Sequence, residues 1–334
     1  MSAETIEWLA ENTLIGFTEK RGNAWHYREG NDNHFEGAVP RERAVALLSY
    51  PLAESEAPRF PVLTEDGVRE FVGTGRKGIV RLDTGEVLGV FKDGYRIHQP
   101  VEWTVENLDL LLDGGLAIGS VVVLKGGAVY AVQGELEETR EAAEGVKHRP
   151  FILAAGSCDG SLSSTYLVGS QVVVCDNTLS VALGERGSSR VKVRHSRNSL
   201  GRIGEVRDSL GLLVEQAGDA FDAKVAKLTS EFVSDEVWGE FVKAYTGVEG
   251  AKEGRSATIA QNKVSALNGL WNHDDRVAPW RNNAYGVLAA VNTFEHHFVG
   301  AEASRAQRNQ LRTVEGGWEA VDARALALLG TVQV

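Results

Sequence analysis

Apolar positions along this chain follow two rhythms in turn. From about residue 69 to residue 195 they alternate or run in short blocks, the pattern of strands buried on one face or both. "REFVGTGRKGIVRLDTGEVLGVFKDGYRIHQ", from Arg69, carries turn chemistry at Asp83-Thr84-Gly85 and at Asp93-Gly94 and predicts successive hairpins. "IGSVVVLKGGAVYAVQGEL" predicts a hairpin about Gly126-Gly127, and "RPFILAAGSCDGSLSSTYLVG" one about Asp159-Gly160. "SQVVVC" and "SRVKVRH" read as further strands. Two helices interrupt them. One covers 104–113, with Thr104 as N-cap and Gly114 as stop; the other is Thr178–Leu183, capped by Asp176 or Asn177.

After about residue 200 the period becomes helical. Phe221, Val225, Leu228 and Phe232 recur on one face, "NAYGVLAAVNTFEHHFVG" predicts a further helix, and the tail from Ala303 continues the pattern. Near the start, "VPRERAVALLSY" predicts a helix with Pro40 in its first turn. Residues 1–35, polar with scattered Trp8, Phe17, Trp25, Tyr27 and Phe35, read as an irregular arm or covering layer. Strands in the middle and helices in the last third predict an α+β fold: a central antiparallel sheet, flanking helices and a helical C-terminal third. The proline-rich stretch 51–61 and the polar stretch 249–257 read as linkers, dividing the chain into an arm and helix (1–61), an α+β core (62–248) and a helical region (249–334).

Composition narrows the setting. With 334 residues, 43% of them hydrophobic, the chain has material for a large core. Its net charge of −11 argues against a surface coated for nucleic acid or anionic membrane. Two cysteines, Cys158 and Cys175, imply no disulfide framework and suit a reducing cytoplasm. The expectation is a cytoplasmic protein with no signal peptide and no membrane partner.

One stretch departs from that acidic balance. From Arg186 to Arg207 there are seven Lys or Arg against one Glu, a net of +6 that leaves −17 for the rest. On a strand, Arg190, Lys192, Arg194 and Ser196 share one face, while Val191, Val193 and His195 share the other, toward a core. Arg197 follows in a turn, and Arg202 and Arg207 on the next helix. Like charges in a row repel unless an anion sits among them, so nucleic-acid phosphate stands beside a solvated face as a reading. Tyr95, Trp103 and Tyr166 are candidate stacking groups for bases.

The remaining motifs have plainer readings. Gly73-Thr74-Gly75-Arg76-Lys77-Gly78 fits a dinucleotide loop only if a helix follows, and here a strand pattern follows. Cys158 and Cys175 lie seventeen apart, no zinc spacing, and Cys175 reads as a small core filler. His296 and His297 point about 100° apart on a helix, so they do not share an ion, and His296 is placed to bond Asn292 in the core. No metal or cofactor is implied.

Four segments together resemble the phage- and plasmid-borne domain of unknown function 932, also called the phage/plasmid-like or LGT family. They are "RLDTGEVLGVFKDGYRIHQ" (Arg81–Gln99), "CDGS…VVVCDNTLSVAL" (Cys158–Leu183), "VRHS" (Val193–Ser196) and "NNAYGVLAAVNTFEHH" (Asn282–His297). The chain departs from the family pattern at Pro100, Cys158 and Tyr285. The resemblance implies mobile-element biology and brings no catalytic residues. Three functions remain open. The first is single-stranded nucleic-acid binding in annealing or recombination by an oligomer, an element order similar to the single-strand annealing recombinases. The second is a nucleic-acid enzyme in which Asp83, Asp159, Asp176 and His195 converge. The third is an interaction protein that presents its acidic surface to a host or phage partner.

Overall fold

The computed structural model describes residues 6–21, 32–108, 116–136, 138–172, 190–195, 203–251, 253–300, 302–315 and 317–333. In chain order these form α1 (Ile6–Glu11), β1 (Thr13–Ile15), α2 (Thr18–Arg21), α3 (Arg41–Leu48), β2 (Leu52–Glu54), β3 (Arg59–Thr64), β4 (Gly67–Val72), β5 (Arg76–Arg81) and β6 (Glu86–Lys92). A π-helical turn at Glu102–Glu106 precedes β7 (Leu116–Leu124), β8 (Val129–Leu136), β9 (Arg140–Glu141), β10 (Lys147–Ser157), β11 (Ser164–Val172) and β12 (Arg190–Val193). Helices follow: α4 (Ile203–Ser230), α5 (Asp235–Thr246), α6 (Arg255–His273), α7 (Ala284–His297), α8 (Glu302–Glu315) and α9 (Gly317–Val332). The fold is α+β, as the two rhythms predict. The main sheet runs β1-β7-β8-β10-β11-β12 with β9 on β10, beside a three-stranded sheet β2-β5-β6 and the lone hairpin β3-β4.

The chain divides into two compact units, Met1–Glu137 with Ile152–Val168 and Arg190–Leu213, and Glu138–Phe151 with Gly169–Ser189 and Val214–Val334. The expected boundaries do not coincide with them. Pro61 lies inside β3, and Val248 opens a short turn between two helices of the second unit.

In the first unit, β7 and β8 are buried at nearly every position and are mostly apolar, with Gln133 and Glu135 of β8 buried among them and bonded to each other at 2.8 Å. Their turn takes left-handed Lys125, Gly126 and Gly127, as the glycine pair predicts. Four expectations need correction. The segment read as an arm supplies an edge strand, with Thr13 opposite Val122. The "linker" 51–61 holds β2 and the start of β3, because its prolines occupy strand edges rather than a hinge. Thr104 does not cap a helix: it is buried within the π-helical turn, and its hydroxyl donates to the Pro100 carbonyl at 2.5 Å. Residues 109–115 lie outside the described residues. Tyr95–Gln99, expected to pair, is irregular.

In the second unit, Phe221, Val225 and Leu228 are buried on α4 as their spacing predicts. Phe232 falls beyond the end of α4 and is 72% exposed. Trp238 stacks on Trp271 at 4.2 Å. Asn283 caps α7 by accepting from the Gly286 amide. A side chain at Gly286 would place its Cβ 2.0 Å from the Trp280 carbonyl oxygen, so this position admits only glycine. His296 does not pair with Asn292. It stacks on Trp318 at 3.7 Å, while Asn292 donates to the Asp322 carboxylate at 2.8 Å. His148, fully buried, lies between Ser170 Oγ (2.5 Å from Nδ1) and Asp222 Oδ1 (2.6 Å from Nε2), and Arg140 holds the other Asp222 oxygen at 2.5 Å.

Candidate functional site

β12 is the edge strand of the main sheet, and it alternates as its sequence predicts. Val193 faces Ser164 of β11 and is buried, while Lys192 and Arg194 are exposed. Arg190 opens the strand opposite Leu167, and Arg207 lies in α4. Arg197 and Arg202 lie outside the described residues, as do Cys175, Asp176, Asn177 and the predicted helix Thr178–Leu183.

Beyond Val193 the chain turns inward, and the His195 ring enters a ladder. Phe91 stacks on Tyr95 at 4.0 Å, Tyr95 on His195 at 4.7 Å, His195 on His98 at 4.1 Å and His98 on Trp103 at 4.1 Å, all within 17° of parallel. Tyr166 lies tilted against Trp103 at 5.6 Å. The ladder runs from half-buried Phe91, Tyr95 and His195 to buried His98, Trp103 and Tyr166. The backbone bonds its rungs: Tyr95 Oη donates to the Ser157 carbonyl, Tyr130 Oη to that of His98, and Tyr166 Oη to that of Trp103.

A directional relay crosses the ladder. His195 Nδ1 lies 3.0 Å from the Arg96 carbonyl oxygen, which only accepts, so Nδ1 carries the hydrogen and Nε2 accepts. Nε2 is 3.3 Å from Ser164 Oγ, which is 2.7 Å from His98 Nδ1. With Ser164 donating to His195, it accepts from His98. Burial, reinforced by His195, pushes His98 down to about 3, and burial also lowers His195 against the pull of the Arg96 carbonyl. Both rings are neutral at pH 7.

The candidate stacking residues therefore come together, but as one another's partners. Trp103 and Tyr166 are 1% and 2% exposed, and Tyr95 has Phe91 on one face and His195 on the other. None of the three offers a free face to a base. What sequence reading missed is the cations beside them. Lys92 and Arg96 are exposed and flank Tyr95, and Arg76 stands exposed directly opposite Lys92 on β5, like charges that disfavour pairing without an anion. The bond from His195 to Arg96 ties this group to Lys192 and Arg194 in one neighbourhood. Arg96 has one nearby carboxylate, Glu54 at 3.8 Å, which Lys77 already holds at 2.5 Å.

The acid-based site does not assemble among the described residues. Asp83 is paired two-fold with Arg81, whose guanidinium holds its carboxyl below the usual range. Burial pushes Asp159 up, but Ser161 and Lys125 outweigh it and hold it low. No three His, Cys, Asp or Glu among the described residues are placed to share a metal ion. Cys158 is buried and its thiol is pushed up to about 12 by burial and then by Asp159, so it is no nucleophile. The Gly73–Gly78 motif forms a turn and the start of strand β5, with no helix after it; β4 and β5 lie in different sheets, so it is a crossover between sheets and not the hairpin turn expected.

Three of the four separated sequence segments meet at the ladder. Phe91, Tyr95 and His98 come from the first and His195 from the third. The second supplies Gly160, where a side chain would meet the Phe91 ring at 3.0 Å and where φ is +78°. The fourth forms α7 in the other unit. No helix among the described residues is long and apolar enough to cross a membrane. Searches against curated proteins and against solved structures found no match. A family model matches residues 87–318, which hold the ladder, the basic edge strand and α7, and on that match the chain belongs to the family described as domain of unknown function (DUF932).

Proposed function

We propose that this protein binds single-stranded nucleic acid along β12 and serves annealing or recombination in the DNA metabolism of a phage or plasmid. The observation that carries this reading is exposed Lys192 on edge strand β12 with exposed Arg194 just past its end, beside Lys92 and Arg96, in a chain whose net charge is −11. Alternate residues of a strand are about 6.6 Å apart, close to the phosphate spacing of an extended nucleic-acid strand. The ladder's part is positional: by gripping His195 it fixes where the strand ends and which way its cations point. Tyr95, Trp103 and Tyr166 have no free face for a base, so binding at this edge is to the backbone and tolerant of sequence.

Reversing Arg190, Lys192 and Arg194 together to Glu tests this. Each phosphate contact on a single strand contributes roughly 0.7 to the slope of log K against log salt, so the slope should fall by about 2. Val193 is untouched, so the fold should persist by circular dichroism. Equal affinity and equal slope for both proteins would return the strand to a solvated face.

A further inference from the structure

In the second unit α9 packs against α7, and two buried pairs meet across the contact. Trp318 and Asp322, one turn apart on α9, meet His296 and Asn292, one turn apart on α7. The rings stack at 3.7 Å, and the amide donates to the carboxyl group at 2.8 Å. Asn292 and Asp322 are 1% and 2% exposed.

The amide–carboxyl pair is short of a hydrogen. Asn292 Nδ2 gives one hydrogen to the Leu288 carbonyl at 3.1 Å and the other to Asp322 Oδ1. A carbonyl only accepts, so the Leu288 bond fixes which end of the amide is nitrogen. Asn292 Oδ1 and Asp322 Oδ2 remain. Both are acceptors, both are buried, and neither has a hydrogen-bond partner among the described residues. Bare buried acceptors are costly, and a bare buried charge is more so. One proton on Oδ2 removes both defects. It cancels the charge and supplies the O–H that Asn292 Oδ1 lacks, since an acid and an amide joined by one N–H···O bond are complementary for the second.

We infer that Asp322 is a proton-binding site that latches α9 to α7. A proton taken from solvent onto Oδ2 closes a ring of two hydrogen bonds with Asn292. Its return to solvent opens the ring and leaves a buried carboxylate between the helices. Burial above all pushes this carboxyl up to about 6; Lys224 on α4 and the Asn292 bond pull the other way, and Glu319, one turn earlier on α9, adds to the rise. The other titratable neighbours do not change state in this range. His296 is pushed down to about 3, by burial first and then by His297, Arg308 and Arg312. Tyr245 of α5 donates to Glu295, which also accepts from Arg312 of α8, while Arg324 of α9 bonds the Tyr245 carbonyl. The latch therefore works close to neutral pH.

The test is denaturant unfolding of the full chain at pH 5 and pH 7.5. The folded carboxyl keeps its proton up to about 6, against 3.8 for an ordinary aspartate. Its contribution to stability is therefore complete below about pH 4 and lost as pH rises through 6. Asp322→Asn offers the hydrogen-bonding pattern of the protonated acid at every pH. The wild type should lose about tenfold in its folding constant relative to this variant between pH 5 and pH 7.5. Asp322→Leu removes the charge equally but leaves both amide atoms of Asn292 bare, so it should be less stable than Asp322→Asn at both values. A wild-type-to-Asn ratio that ignores pH would overturn the inference, and a leucine variant as stable as the asparagine one would remove the ring. Should neither variant fold, carbon resonances of the wild-type aspartate carboxyls decide: one should titrate near pH 6, and its absence sinks the proposal.

Discussion

His195 in the first unit and His148 in the second each sit between a serine hydroxyl and an acceptor oxygen. For His195 that acceptor is the Arg96 carbonyl, and for His148 it is the Asp222 carboxylate. A carboxylate ordinarily favours a charged imidazole, yet His148 also lies below its usual range. Burial is the largest cause; Asp222 opposes it, and Arg140 adds to it. The Asp222 charge is already engaged by the guanidinium. An anion at 2.6 Å thus fails to charge a histidine that burial holds neutral, and the cation on the anion's other oxygen adds to that burial. The two arrangements also differ in what they hold. The Asp222 network ties β10 and β11 to α4 within one core, whereas the ladder reaches a surface edge where cations project.

The comparison breaks most clearly at His98. Replacing it by Ala removes a rung and leaves the Ser164 hydroxyl short of a partner, at a cost of about 3 kcal/mol in denaturant unfolding. His98→Phe keeps the stacking and loses the relay, so it should cost less. Equal losses for the two would show that the ring stack contributes nothing.

The next test is pH. His98 is depressed to about 3 in the folded state, so the unfolded chain binds its proton first. The stability it contributes is complete above about pH 6.5 and drains away as pH falls toward 3. Thermal unfolding from pH 7 to pH 4 should therefore drop less steeply in His98→Phe than in the wild type.

A smaller change sharpens the other side. Arg140→Gln frees the Asp222 charge, so the His148 titration should move upward, toward neutral pH, while those of His98 and His195 stay put. Imidazole proton resonances followed through a pH series read this directly. Smallest of all, Cys158→Ala should cost about 1 kcal/mol. The native Cys158 thiol should resist alkylation at pH 8 until the protein is unfolded.

The elements with strict local signals were legible in the sequence. β12 alternates valine with Lys or Arg, and α7 announces itself with Asn283 followed by an apolar run. The ladder was not legible, because Tyr95 and His98 meet His195 only after about a hundred intervening residues have folded, and no local period marks such a meeting. Tyr95, Trp103 and Tyr166 looked like base platforms because aromatics near basic residues often are; burial among themselves decided otherwise. β3 was hidden by its prolines, which read as a hinge until Pro61 is seen to turn its missing N–H outward. Phe232 kept the helical period, but the chain leaves the helix at Ser230 before reaching it.

The place of β1 at the sheet edge has a consequence for how the chain is made. Thr13 pairs with Val122, so β1 waits for about a hundred more residues before its partner exists. Until then the apolar side chains of Leu14 and Ile15 have no β7 to pair with, whereas β7 and β8 are joined by a tight turn. Closure of that edge is a long-range step. A nascent chain stalled before it would present the unpaired flank of β7 to its neighbours, which makes the short N-terminal strand a guard against aggregation as much as a part of the fold.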